Sequence, residues 1–472
     1  MRDYALFAFV IGLVPVILSW PWTGILVWYW VALMVPHSMT WGFMQSFPIA
    51  AMLGGASLIG VVIAKDRRPI PGTREIIVLG IFVAHMTLTS FFAVNQAGAW
   101  DQWIKVMKIL LMTFLVPMLI YGERRILALI FVMTFSIGFY GFKGGLFAIV
   151  TGGNYSVLGP VNSFLEGNTF IGLAMIMVLP LILVSARLVY QKWVDVGWPW
   201  LQTWSKPIGL MIYASFWLTT VAILVTYSRG ALLGLLAVSP FILKRMRRKW
   251  LIVSFAILGF SVIGISAPER LVARWETIET YEEDQSAMQR IQAWGANWNM
   301  AWERPFIGMG FRHAGKGYGW WSQYVNFEGA WDHVLSAHSI YFQILGQHGF
   351  VGFGIFLTLI GMTFSTLGRI RRDAVEMTGK IWLSEYAWAI QVSLVGFMAA
   401  GTFLDVGYFD LLYALIALAV ILRRELDEAD QSAFVPVAGA QPPKPRNPFG
   451  ASGRYRAHPS RISKPSRRHP LD

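Results

Sequence analysis

Two positions carry side chains that could do chemistry on an anionic substrate. Arg229 lies in Val225-Thr226-Tyr227-Ser228-Arg229-Gly230, between two apolar blocks. Ser228 is a natural N-cap for the second block. An arginine there adds its charge to free amides and to the positive end of the helix dipole, which makes an anion site. The plainer alternative is an arginine that reaches lipid headgroups. His338 lies in Ala337-His338-Ser339-Ile340, at the start of another apolar block, with Ser336 placed to cap that helix. A helix N-terminus disfavours the imidazolium, so the ring is expected to stay neutral and able to act as a base. The alternative is a capping or interfacial histidine. His313, His333 and His348 compete for the role, but none has so defined a setting.

Other cations extend the pattern. Lys105, Lys108 and Lys143 fall inside apolar segments that offer almost no carboxylate to pair with them. Lys105 has the plain alternative of reaching the interface along its stem. For Lys108 and Lys143 an anionic ligand, such as a lipid phosphate, would supply the counter-charge. Arg290, Arg304 and Arg312 lie in a long polar stretch. Arg290 is placed to line a site, with pairing to Glu282, Glu283 or Asp284 as the structural alternative. Asp405 and Asp410 flank a turn and read as caps. No His-Glu-x-x-His, P-loop, Gly-x-Ser-x-Gly or Asp-x-Asp occurs. The candidates are cationic, which favours a mechanism without metal or cofactor.

The elements that position these residues follow from composition. Of 472 residues, 56% are hydrophobic and 14% charged. That is too little charge to cover a soluble protein of this size. Apolar segments near the length of a membrane-crossing helix fall at 4–20, 22–36, 47–64, 75–93, 103–121, 125–150, 168–187, 207–225, 230–243, 250–267, 340–368, 383–402 and 408–422. The first two are short enough to be one broken helix. The chain therefore reads as an all-α, polytopic bundle of about 12–13 transmembrane helices. No small-residue cleavage site follows the first segment, so it does not read as a cleavable signal peptide. There are no cysteines, which excludes disulfides and thiol chemistry.

Every second loop is rich in Lys and Arg, beginning at Lys65, Arg67 and Arg68, and so is the tail. The positive-inside rule assigns these to the cytoplasm. The net charge of +13 is thereby a matter of topology, with membrane lipids as partners and no nucleic acid. The opposite loops include 151–167, 226–229 and one long loop, 268–337. In that loop Ser286 and Gln289 read as a capping box. Ile291, Trp294, Trp298 and Trp302 recur at helical spacing, with Gln292, Asn297 and Glu303 facing elsewhere. This predicts an amphipathic helix over 287–302, lying on the bilayer or on the bundle and ended by Arg304-Pro305. Three regions result: an N-terminal membrane region 1–204, a region 205–424 holding the long loop and the main candidates, and a disordered basic tail 425–472.

The ordered set Thr226-Tyr227-Ser228-Arg229-Gly230-Ala231, Glu303-Arg304-Pro305-Phe306-Ile307-Gly308-Met309-Gly310-Phe311 and Ala337-His338-Ser339-Ile340 to Gly349-Phe350 resembles the O-antigen ligase and polymerase family. Phe142-Lys143-Gly144-Gly145 and Gly159-Pro160-Val161-Asn162-Ser163-Phe164 resemble the narrower group of putative O-glycosylation ligases associated with exosortase A. The resemblance implies an inverting glycosyltransferase of the bacterial inner membrane, active at the periplasmic face. It implies an undecaprenyl-pyrophosphate-linked glycan donor, a lipid, polysaccharide or protein hydroxyl as acceptor, and a link to exosortase-dependent surface machinery. The family's essential arginines and histidine map to Arg229 and His338. Two departures stand out: Gln347 where a glutamate is common, and Ser156 where many relatives are basic. The second hands the missing pyrophosphate contact to Lys143 or Lys108, beside Arg229, Arg290, Lys105 and Ser228. A repeat-unit polymerase, a flippase of lipid-linked oligosaccharide and a non-catalytic scaffold are the alternatives.

Overall fold

The computed structural model describes residues 1–193, 199–246, 285–325, 333–377 and 379–433. Thirteen longer helices are found there, and the expected segment 250–267 lies outside the described residues. In chain order they are α1 (Arg2–Ser19), α2 (Trp22–Met34), α3 (Ile49–Ile63), α4 (Arg74–Phe91), α5 (Gln96–Leu119), α6 (Gly122–Val150), α7 (Asn168–Gln191), α8 (Ser205–Val225), α9 (Arg229–Arg245), α10 (Gln285–Glu303), α11 (Ile340–Asp373), α12 (Ile381–Gly401) and α13 (Asp410–Ala433). Seven of them are long and apolar enough to cross a membrane by length and composition alone. No strand forms among the described residues; Gly159 and Gly167 pair as an isolated bridge. The protein is a multi-pass, all-α membrane bundle.

Position in the bundle follows composition around each helix. α7 is apolar on all sides and buried along nearly its whole length, as is α13 from Leu411 to Leu422. A helix that is hydrophobic all round belongs at the centre. α6, α8, α9 and α12 surround α7, and α11 packs on α12 and α4. α6 and α8 approach closely at glycines: a Cβ on Gly145 would lie 2.0 Å from the Leu218 carbonyl oxygen. Close backbone approach at small residues is the usual device of membrane helices.

Loops sort to two ends, as the charge alternation predicts. At one end Arg68 pairs with Glu428, Arg125 with Asp66 at 2.9 Å, Lys380 with Glu425 at 3.0 Å, and Arg187 and Arg245 with Glu385. The hydrogen bonds from Arg125 and Tyr121 hold the Asp66 carboxyl below the usual range. At the other end the Val94 amide donates to the Met309 carbonyl, Asn95 to the Arg312 carbonyl and Asn168 to the Thr226 carbonyl.

Several expectations need correction. The first two segments are not one broken helix but two, which turn at Trp20-Pro21. Asp3 accepts from the amides of Gly42 and Met44, so α1 starts at the end that also holds 36–46. α5 begins at Gln96, which sets Lys105 and Lys108 deeper than a 103–121 segment implies. The helix expected at 340–368 is two helices joined at Gly349, whose φ of 66° and ψ of −173° are not helical. α13 continues to Ala433, into the stretch expected to be disordered.

Candidate functional site

The turn between α12 and α13, Thr402–Phe409, gathers the candidate residues. His338 Nδ1 lies 3.9 Å from Asp405 Oδ2, and the Ser336 hydroxyl donates to the same carboxylate oxygen. Ser336 therefore does not cap α11. The cap position belongs to Ser339, whose buried hydroxyl has no partner among the described residues. Asp405 is no cap either: it faces His338, and its Oδ1 is buried without a described partner. Reading it as a cap missed this, since only the fold brings residues 338 and 405 together.

His338 has φ 43°, in the left-handed region that non-glycine residues seldom adopt. It stands just before the N-cap of α11, half exposed at 48%. Of the competing histidines, His348 and His313 are enclosed, whereas His333 is exposed. His348 is fully buried, with Nδ1 2.7 Å from the Thr89 hydroxyl and Nε2 2.8 Å from the Tyr408 hydroxyl. Tyr408 also donates to Gln347 Oε1 at 2.6 Å, so Gln347 belongs to this buried network. His313 is buried as well, and burial pushes its imidazole down to about 4.

That last shift has a stability consequence with a definite sign. His313 stays neutral when folded but protonates near 6.5 when unfolded. The loop that holds His313 therefore keeps its full stability above that value and loses it as pH falls toward 4. Moving from pH 7.5 to 5 is expected to cost about 2 kcal/mol. Thermal midpoints of wild type and His313→Gln in detergent check this: the variant's midpoint should fall less over that interval.

Arg229 opens α9. Ser228 is the N-cap, as the sequence implies: its hydroxyl accepts from the Ala231 amide at 3.2 Å. The Ser228 hydroxyl also donates to Thr169 in the first turn of α7, at 3.1 Å. Tyr227, with φ 52°, makes the elbow before the cap. Gly230 faces both Thr169 and Phe403: an added Cβ would lie 3.6 Å from Thr169 and 3.5 Å from Phe403. The turn bearing Asp405 thus packs against the first turn of α9, at the residue after Arg229.

α10 closes a third side. Trp294 stacks on Phe342 with centroids 5.3 Å apart, and its indole N–H donates to the Ala337 carbonyl at 2.9 Å. It also meets Phe403 at 6.2 Å. Arg290 lies one turn before Trp294 on α10. The helix is described from Gln285, and the side chain of Ser286, expected in a capping box, lies outside the described residues. Its buried face is Gln292, Ala293, Ala296, Asn297 and Met300, while Ile291, Trp298 and Trp302 stand exposed. The expected tryptophan stripe is real: beyond Trp294, Trp298 and Trp302 pack edge-on against Phe350 of α11, with centroids 5.6 and 5.3 Å away, and leave their other sides exposed. Small residues let the buried face of α10 pack closely.

The stretch Arg304–Gly310 is a docking segment. The Met309 and Gly310 amides donate to the Gly346 and Gln347 carbonyls at 2.9 and 2.8 Å, and the Phe350 amide to the Pro305 carbonyl at 2.8 Å. Gly308 and Gly310, at φ 58° and 81°, make the tight turn read from the sequence. The Gly159–Phe164 stretch also reaches the site end, where Phe164 stacks on Phe409 at 5.4 Å.

Four helix N-termini meet here: α7 through Thr169, α9 through Ser228, α11 behind His338 and α13 behind Phe409. Their dipoles and free amides make the region favourable to an anion. Lys105, Lys108 and Lys143 are not part of this gathering. They are exposed on α5 and α6, and Lys143 points away from α8, opposite Gly141, Gly144 and Gly145.

Residues 214–357 match the model of the O-antigen ligase family, and residues 1–190 match a family of unknown function, DUF5935. No protein of curated function matches the chain. The O-antigen ligase match contains Arg229, Arg290 and His338 and ends before Asp405. The domain it marks supports a membrane glycosyltransferase of ligase or polymerase type.

Proposed function

We propose that the chain transfers a glycan from an undecaprenyl-pyrophosphate carrier to an acceptor hydroxyl, without metal or cofactor and with inversion at the anomeric carbon. The observation that carries this reading is the convergence of Arg229, the His338–Asp405 pair and four helix N-termini on one turn. Arg229, with Arg290, holds the pyrophosphate and stabilises its growing charge as it leaves. The Nδ1 side of His338 faces Asp405, which leaves Nε2 as the base. The acceptor oxygen forms its bond to the anomeric carbon as its proton passes to Nε2. The bond from that carbon to the phosphate oxygen breaks, and its electron pair leaves with the pyrophosphate. Trp298 and Trp302, exposed on α10, give the polyprenyl chain an apolar wall.

The Lys- and Arg-rich end of the bundle is taken as cytoplasmic by the positive-inside rule, which sets the site at the periplasmic face of the inner membrane. Membership of the exosortase-associated group, and a partner in that machinery, rest on the Phe142–Gly145 and Gly159–Phe164 stretches. Ligase and polymerase readings share this chemistry and differ in acceptor; the length distribution of the product separates them.

The test is transfer in vitro by purified protein, with undecaprenyl-pyrophosphate glycan, candidate acceptors and EDTA. Arg229→Ala is expected to lower kcat by about 10²–10³-fold, the effect of removing one donor to a developing charge. Full transfer by that variant would overturn the assignment, and loss of wild-type transfer in EDTA would overturn the metal-free step.

A further inference from the structure

α2 is short. Its 13 residues rise about 20 Å, well under the thickness of a bilayer core. It ends in a left-handed Val35 and the 3-10 turn Pro36–Met39. α2 packs against both α5 and α6. Tyr140 of α6 donates to the carbonyl of Met34, the last residue of α2, so Lys143 lies about one turn beyond that end. On the other side Tyr29 lies beside Thr113 of α5. The rise from Tyr29 to the end of α2 equals that from Thr113 to Lys108. Lys108 is therefore level with the end of α2, and Lys105 about one turn further out.

Burial along α5 and α6 shows the same step. Two turns inward on the same face, Lys105 is followed by Met112, Lys108 by Leu115 and Lys143 by Ser136. Those three inner residues are buried, at 2%, 6% and 4% exposure, whereas all three lysines are exposed. The cover present over the inner half of these faces stops before the lysines. Beside them the bare faces carry Ile104 and Phe147, with Asp101 as the acidic neighbour. Three ammonium groups thus border an apolar recess at membrane depth, where an uncompensated charge is costly.

We propose that this recess seats the phosphate headgroup of an anionic glycerophospholipid of the surrounding bilayer, held by Lys105, Lys108 and Lys143 and separate from the Arg229–His338 site. The occupant follows from the charge and the form of the recess. Lysine is a point charge suited to phosphate, and the walls beside it are apolar and suit acyl chains. The donor glycan is the poorer match, because these bare faces offer few groups to hydrogen-bond a sugar.

Native mass spectrometry of the full-length protein tests this with three probes: phosphatidylglycerol, phosphatidylcholine of the same chains, and undecaprenyl pyrophosphate. Wild type is expected to retain phosphatidylglycerol over phosphatidylcholine. Each single Lys→Gln change should weaken that retention by about fivefold. The triple Lys→Arg variant should keep it, which separates lost charge from lost fold. Equal phosphatidylglycerol retention by wild type and the triple Lys→Gln variant would overturn the proposal. So would a triple variant that loses undecaprenyl pyrophosphate while keeping phosphatidylglycerol, since the lysines would then serve the donor.

Discussion

Replacing His338 with alanine is expected to slow transfer by about 10²–10⁴-fold, the usual contribution of a positioned base, with donor binding little changed. The ring is the exposed histidine at the gathering of helix N-termini, while both nitrogens of His348 are engaged and enclosed. Asp405 acts through His338, so Asp405→Asn should cost less, about tenfold, as for one lost charge contact of ~1.4 kcal/mol. In the His338→Ala background the same change should cost nothing further. Single-turnover transfer with the four proteins checks this. Additive losses would show that Asp405 acts apart from the histidine, and full activity of His338→Ala would remove it from the chemistry.

Gly349→Ala should be among the most destabilising single-methyl additions in the chain. At φ 66° and ψ −173° the backbone is in a region nearly reserved for glycine. The added Cβ would lie 2.5 Å from the Pro305 carbonyl oxygen and 3.0 Å from that of Arg304. Strain alone costs about 1–3 kcal/mol, and the clash would push the Arg304–Gly310 segment off α11. Gly354, further along the same helix, has nothing within 4 Å of a built Cβ. Gly354→Ala should be neutral or slightly stabilising, because alanine favours helix. Thermal midpoints in detergent compare the two. A Gly349→Ala protein as stable as Gly354→Ala would refute the packing described here. A lower midpoint together with weakened transfer would show that the docked segment supports the site.

How much of this was legible in the sequence varied with the range of the interaction. The all-helical, multi-pass character and the sorting of loops to two ends came from hydrophobic blocks and charge alternation, because each block must satisfy its own backbone in a bilayer. Local signals held in the same way. Ser228 caps α9, Glu303-Arg304-Pro305 ends α10, and Gly308 and Gly310 make a tight turn. Helical spacing placed the tryptophan stripe on one face of α10. It could not say that the face of Gln292 and Asn297 would be the buried one, because close packing against α11 favours small side chains there.

The sequence by itself determined an all-helical membrane bundle and named Arg229 and His338, since each has its own helix start to mark it. The tertiary structure decided which other residues stand with them. Asp405 reaches His338 through a turn 67 positions away in the chain, and no local pattern encodes that meeting. The lysines on α5 and α6 look like partners of Arg229 when charge alone is considered. The side of the helix on which each lies sets them apart, because glycines opposite Lys143 draw the other face of α6 onto α8. Composition and period decide what a helix is; which neighbour it meets, and at what rotation, is settled only by packing.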